Sequence, residues 1–303
     1  MNKGCLFFAL NLILNVTLAQ AVRDQSFHYE IETPQFKNGE GPLLYMDAAH
    51  HNRHTMQTGL RALSEILMDD GVTVKENRLP FSPESLKKMD VLVIVNALDT
   101  SNLKRWKLPC PSAFTSEEIK AVERWVHDGG SLFLSADHMP YGGAVQDLAH
   151  SFGVTWANCF DRSSKKQWPP AVFSRDKGTL KPSLVTDSSA FSSRIEYIGT
   201  FTGSAFKSQN LTPFLVFNER YELLFPDEAW KFSGKTKKLD AKGWFQGAYM
   251  KYGEGKVVLM GESAMFTAQV RGKTKVGMNS PLTPENAALA LNIFRYLTIE
   301  ESE

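Results

Sequence analysis

The sequence predicts an α/β protein built on a mostly parallel sheet with helices on both faces. Three observations carry that expectation. Short apolar runs alternate with amphipathic helical patterns over residues 43–152, and the connections between them are short. One run, residues 91–95, is apolar throughout, as a strand buried on both faces would be. Several of the runs end in acidic or histidine residues, and in such sheets ligands bind beyond the carboxyl ends of the strands.

The elements follow in order. Residues 43–46 form an apolar run closed by Asp47. Thr55 is placed to cap a helix with Leu60, Leu63, Ile66 and Leu67 inward and Gly71 as its stop. Residues 72–77 alternate as a second strand, and Ser82-Pro83-Glu84 opens a short helix with proline at the tolerated first position. The helix after residues 91–95 is the most clearly marked. Thr115 and Glu118 make a capping box, Phe114 can staple to Ile119, and Ile119, Val122, Trp125 and Val126 form one apolar face ended by Gly129-Gly130. Residues 132–134 are a further strand finishing at Asp137-His138, and Gly142-Gly143 leads into a helix through Leu148 and Phe152.

Residues 154–243 break this rhythm and read as an irregular β-rich insertion. Short strands are expected at 194–198, 213–217 and 221–225, with a solvated Lys-rich loop over 231–242. The pattern resumes with a hairpin, residues 247–252 and 256–260 around Gly253-Glu254-Gly255. Thr283-Pro284 starts a last helix that buries Ala287, Ala290, Leu291, Phe294 and Leu297. One α/β domain is therefore expected over residues 43–303, preceded by an extended lead-in at 22–42.

Composition narrows the function classes. The 303 residues are 43% hydrophobic and 22% charged, with a net charge of +1. That is ordinary globular composition without the basic excess of a nucleic-acid binder. Residues 1–21 have the form of a secretory signal peptide: Lys3, an apolar stretch, then Ala19-Gln20-Ala21. The expected destination is secreted or periplasmic, and no later segment is apolar enough over sufficient length to span a membrane. Cys5 lies in the leader. Cys110 and Cys159 remain, either as one disulfide or as two separate thiols.

Three stretches, residues 47–55, 135–143 and 261–269, read Asp47-Ala48-Ala49-His50-His51-Asn52-Arg53-His54-Thr55, Ser135-Ala136-Asp137-His138-Met139-Pro140-Tyr141-Gly142-Gly143 and Gly261-Glu262-Ser263-Ala264-Met265-Phe266-Thr267-Ala268-Gln269. Together with Gly277-Met278-Asn279, they resemble the signatures of a family of secreted bacterial proteins. That family is defined by a domain of unknown function within the class I glutamine amidotransferase-like superfamily. The resemblance covers roughly residues 43–154 and 247–297 and implies a flavodoxin-like sheet. It does not imply glutaminase chemistry, which needs a nucleophilic cysteine in a strand-to-helix elbow. Here the corresponding strand ends in Ser-Ala-Asp-His.

The candidate site gathers at the strand ends. His50, His51, His54 and His138 are candidate ligands for a divalent metal such as Zn²⁺. A bound metal would make a nucleophile of water, with Asp137 or Glu262 as general base. Ser263, paired with His138 or His51, is a third candidate, although the second glycine of a nucleophile elbow is absent. Asp47, Asn52, Arg53, Gly142, Gly143 and Asn279 are candidate ligand-binding residues, the glycine pair because a helix start offers N–H groups to an anion. Each has a plainer alternative: Asp47 as a turn cap, His54 bonding a carbonyl, Arg53 pairing with a carboxylate. Of Trp156, Trp168, Trp230 and Trp244, most are expected in the core, and one or two could stack on a sugar ring. Two functions stand side by side: a hydrolase acting on a polar envelope or carbohydrate-type substrate, and a non-catalytic domain binding a small molecule or glycan in the same crevice.

Overall fold

The computed structural model describes residues 21–163, 171–187 and 193–299. The expected leader, apart from Ala21, and Trp168 lie outside the described residues. The first half of the chain runs β1 (Val22–Arg23), β2 (Leu43–Asp47), α1 (Arg61–Asp69), β3 (Thr73–Asn77), α2 (Pro83–Leu86), β4 (Val91–Val95), α3 (Ser116–His127), β5 (Ser131–Ser135), α4 (Tyr141–Ala144) and α5 (Gln146–Ser151). The middle contributes β6 (Thr155–Ala157), β7 (Phe160–Ser163), β8 (Ala171–Ser174), α6 (Leu184–Asp187), β9 (Tyr197–Thr200), β10 (Ala205–Lys207), β11 (Thr212–Val216), β12 (Tyr221–Phe225) and β13 (Lys237–Asp240). The chain then passes through β14 (Phe245–Tyr252), β15 (Gly255–Met260), β16 (Ala268–Arg271), β17 (Thr274–Gly277) and α7 (Asn286–Thr298).

The main sheet is mixed rather than mostly parallel. Among the described residues it has nine strands in the order β3-β2-β4-β5-β15-β14-β10-β6, with β11 also on β14. The first five are mutually parallel; from β14 onward every pairing is antiparallel. The hairpin explains the switch. A two-residue connection between β14 and β15 can only join antiparallel strands, and Gly253 at that turn has φ +59 with the His127 backbone packed where a Cβ would sit. Once β14 is reversed, strands from the middle of the chain add to its far side.

That corrects the reading of residues 154–243 as an insertion: β6, β10 and β11 complete the main sheet. Within the supposed Lys-rich loop, Lys237–Asp240 is an exposed strand paired with β12. Thr55 does not cap α1. It closes a local turn with Thr58, and the helix begins six residues later with Leu60 at its cap position. The capping boxes at Ser82 and Thr115 are both formed.

Alternation along the central strands divides the interior in two. Val91, Val93, Val95 and Phe133 pack with Leu63, Ile66 and Leu67 of α1 and with Leu289, Ile293 and Phe294 of α7. Leu92, Ile94, Leu132 and Leu134 pack with Leu86 of α2, Val122 and Val126 of α3, and Leu148 of α5. Removing each such side chain from water contributes roughly 1.5–3 kcal/mol.

Residues 22–42 are a strap. β1 pairs with β16, and Phe27, Tyr29, Ile31 and Phe36 pack on the core. The strap is tied down by the buried pair Asp70–Arg295. Arg295 Nε donates to Asp70 Oδ2 at 2.9 Å, and its Nη2 donates to Asp70 Oδ1 and to the Thr33 carbonyl. The Gln35 N–H donates to Asp70 Oδ1 at 2.8 Å. Cys110, half-buried, and Cys159, buried, are both free thiols.

Candidate functional site

The parallel strands set the site. Val95 of β4, Ser135 of β5 and Met260 of β15 lie level in register. The chain therefore leaves the sheet at one rim through Asn96, then Ala136-Asp137, then Gly261-Glu262. Asn96, buried with φ +50, is the clamp of that rim. Its Oδ1 accepts from the Asp137 N–H at 2.8 Å and from Ser263 Oγ at 3.0 Å, and its Nδ2 donates to Asp137 Oδ2 at 2.7 Å. Asp137 Oδ1 accepts from the Ser263 N–H. Glu262, fully buried, accepts from the N–H groups of Ala264 and Met265, each at 2.9 Å.

A third carboxyl, Asp161, lies behind them and accepts from the Gly203 N–H. Burial raises the proton affinity of all three acids. Asp137 is pushed up by burial, Asp161 to about 6, and Glu262 well up by burial and then by Asp137. Desolvation disfavours the charged form, and neighbouring carboxylates repel.

Over this floor lies a cleft of about 740 Å³. Arg53 and His54 reach it from the loop after β2, Asp137, His138 and Tyr141 from the segment after β5, and Glu262 and Ala264 from the turn after β15. Trp106, Phe201, Thr202 and Trp230 form its walls, and Gln269, Arg271 and Val276 of the β16–β17 hairpin form part of its mouth. The three distant signatures therefore meet at one edge of the sheet. The Tyr141 side chain is buried, yet its hydroxyl has no protein partner.

The histidines separate into different surroundings. His50 is buried with Nδ1 2.8 Å from Asp47 Oδ2 and Nε2 2.9 Å from Glu118 Oε1. Carboxylate oxygens accept, so both ring nitrogens donate and the ring is an imidazolium. Burial alone would lower its pKa, but the bonds to Asp47 and Glu118 outweigh that and raise it. Phe81 and Phe114 enclose the ring at 4.5 and 4.9 Å between centroids. His138 lies flat on Phe160 at 4.3 Å, its Nδ1 donating to the Met139 carbonyl, and burial lowers its pKa to about 4. His54, at the cleft wall, is lowered to about 4 by burial and by Arg53. His51 is exposed with φ +51. Among the described residues no group of three or more His, Cys, Asp or Glu is arranged to hold a metal ion.

Several other candidates are structural. Ser263 Oγ is buried between Asn96 and Ser135, whose hydroxyl donates to it at 3.2 Å, and no imidazole is bonded to it. Both Glu262 oxygens are committed to backbone N–H groups, which places it as the cap of the turn at Ala264–Phe266. Asp47 accepts from His50 Nδ1, and neither residue lines the cleft. Asn52 accepts from the His50 N–H and donates to the Val95 carbonyl. Asn279 donates to Asp24 and to the Gln269 carbonyl, tying the strap to the hairpin.

Gly142 and Gly143 lie inside α4. The Gly143 N–H already donates to Asn158 Oδ1 and to the Pro140 carbonyl. A Cβ at Gly143 would stand 2.6 Å from Cys110 Cβ, so close packing explains that glycine. Gly143→Ala is expected to lower stability by about 1–3 kcal/mol through overpacking, measured as a urea midpoint shift. An unchanged midpoint would remove that account.

Trp106, Tyr141, Arg271, Asn96, Asp161 and Glu118 were not among the candidates, whereas Trp230 was one of the four tryptophans considered for stacking on a sugar ring. Asn96 had a readable signal, since it ends the most apolar strand just as Asp47 ends β2. For Asp161 the sequence carries none, because it reaches the rim through pairing with β12, distant along the chain.

No protein-family model matches the chain, and neither does any curated protein. Solved structures do. The N-terminal domain of mmIFT52 superposes with a TM-score of 0.59 at 14% identity, covering 86% of this chain and 99% of that one. A ThuA-like protein from Bacteroides uniformis matches with a TM-score of 0.45 at 12% identity over 89% and 94%. An exo-β-1,4-mannosidase from Opitutaceae bacterium strain TAV5 matches with 0.43 at 13% over 87% of this chain and 37% of that one. At 14% identity the likeness to the mmIFT52 domain is one of fold.

Proposed function

We propose that this is an exported α/β protein, secreted or periplasmic, whose cleft binds a carbohydrate-type ligand. The observation that carries the reading is the cleft itself: aromatic walls over a floor of buried carboxyl groups, with the Tyr141 hydroxyl left to a ligand. Trp230 is half exposed beside His138 and Phe160, and Trp106 stands near Tyr141 at 5.4 Å, so apolar ring faces and polar handles converge as sugar recognition needs. We read the parallel half as flavodoxin-like, since its strands run in the order second, first, third, fourth, fifth along the chain. The rim of that half is where such sheets place ligands.

A screen against immobilised glycans tests the reading. Trp230→Ala is expected to weaken the best ligand at least about tenfold, about 1.4 kcal/mol, with little change in thermal stability because the ring is half exposed. Binding that survives this substitution unchanged would remove the cleft from consideration.

One observation favours hydrolysis over binding alone. Asp137 is a carboxyl on the cleft floor held in its acid form to higher pH than usual by burial. Asp137 lines the cleft and each of its oxygens accepts one hydrogen bond, from Asn96 or Ser263, which leaves a lone pair for the proton that such a group can pass to a leaving oxygen. A raised pKa means the acid form is lost as pH rises, so turnover should fall on the alkaline side through that pKa. A bound glycan recovered intact across the pH range would leave the binding reading alone.

A further inference from the structure

We propose that the ligand of this cleft is an anionic sugar whose acid group is held at the mouth by Arg53 and Arg271. This rests on the carbohydrate reading of the cleft and adds the charge of the ligand. Arg53 comes from the loop after β2 and Arg271 from the end of β16, and both are exposed and line the same cleft. Among the described residues neither guanidinium is paired with a carboxylate. Arg23, Arg61, Arg124, Arg175 and Arg295 each reach one.

The two free arginines are not matched by the acids beneath them. Asp137 turns its oxygens to Asn96 and Ser263, and Glu262 turns both of its own to the backbone of Ala264 and Met265. Burial further favours the neutral form of both. His54 and His138, lowered to about 4, add no charge at neutral pH. What faces an incoming ligand is therefore two guanidinium forks above a floor whose carboxyl oxygens are turned to their own protein partners. Guanidinium matches carboxylate and phosphate oxygens in two-point contacts. Trp230 supplies a ring face and Tyr141 an unpartnered hydroxyl, so a free anion would leave half of the site unused.

The test is calorimetric titration of the protein with a hexuronate oligomer, its neutral hexose counterpart, a hexose phosphate and inorganic phosphate. The acidic sugars are expected to bind at least about tenfold tighter than the neutral oligomer at low salt. That advantage should shrink toward none at about 0.5 M salt, where charges are screened within a few ångströms. Arg53→Gln and Arg271→Gln should each remove about tenfold of acidic-sugar affinity together with most of its salt dependence. Both substitutions are at exposed side chains, and an unchanged melting temperature verifies the fold. The uronate and sugar-phosphate arms distinguish which acid group is preferred.

Equal binding of neutral and acidic sugars, or a preference that survives both arginine substitutions, would overturn the charge assignment while leaving the carbohydrate reading in place. Inorganic phosphate bound as tightly as the hexose phosphate would overturn the sugar and leave an anion site. No binding of any glycan would overturn both readings together.

Discussion

Arg295→Met is expected to lower the unfolding free energy by about 3–5 kcal/mol, the usual cost of leaving one member of a buried ion pair without the other. Asp70 is almost wholly buried and accepts from two Arg295 nitrogens and from the Gln35 N–H. Loss of the guanidinium strands that charge and also frees the Thr33 carbonyl. The strap over residues 22–42 should loosen first, seen as faster amide exchange at Gln35 and Phe36, which donate to the Asp70 side chain and carbonyl. Asp70→Asn combined with Arg295→Met should cost less than Arg295→Met alone, because no uncompensated charge remains. Urea unfolding of the three proteins reads both effects. A loss under about 1 kcal/mol for the single variant would mean water reaches Asp70 and the pair is not the lock described.

His50→Phe should cost about 3 kcal/mol near pH 6 by the same principle, since it leaves Asp47 and Glu118 facing each other without the cation between them. Phenylalanine suits the site sterically, as Phe81 and Phe114 already enclose the ring. The loss is then electrostatic, and its pH dependence has a defined sign. His50 has a folded pKa above its unfolded value of 6.5, so its contribution is complete below 6.5 and is lost as pH rises through the folded pKa. Glu118 is pulled below 4.5: burial alone would raise it, but bonds from Thr115, His50 and Phe81 prevail. Its contribution is complete above 4.5 and is lost as pH falls. The stability difference between the native protein and His50→Phe should therefore be greatest between about pH 4.5 and 6.5 and narrow on both sides. A difference constant from pH 4 to 9 would mean the ring acts by packing alone.

How much of this was legible along the chain depends on how local each cause is. Ser82, Thr115 and Glu118 act within one helical turn, and their caps are formed. The strands β4, β5 and β15 are readable because they are buried on both faces, which leaves no ambiguity of alternation. Strands β6 and β10 are short and acquire their place only by pairing in the antiparallel half, so residues around Phe206 resembled loop, while the strand expected at 213–217 is present as β11 but owes its place beside β14 to the same distant pairing. The acidic ends of the strands were visible, but their roles were not. Nothing near His50 reveals that its second partner lies 68 residues away. The capping box hid that contact further, because Glu118 uses Oε2 for the cap and Oε1 for the imidazole. Likewise the flat contact of His138 on Phe160 depends on β7 arriving from the middle of the chain.

The floor of the cleft and its walls come from separate stretches. Asn96, Asp137 and Glu262 belong to the parallel half; Asn96 and Asp137 are locked to each other by hydrogen bonds, and Glu262 caps its own turn. Phe201, Thr202 and Trp230 come from the middle of the chain, on loops next to β9 and between β12 and β13. On the binding reading proposed above, mutation in the second set would retune which ligand shape is admitted while the first set stays untouched. A scaffold divided in this way can diversify: descendants could exchange one specificity for another without re-evolving the interior that keeps them folded.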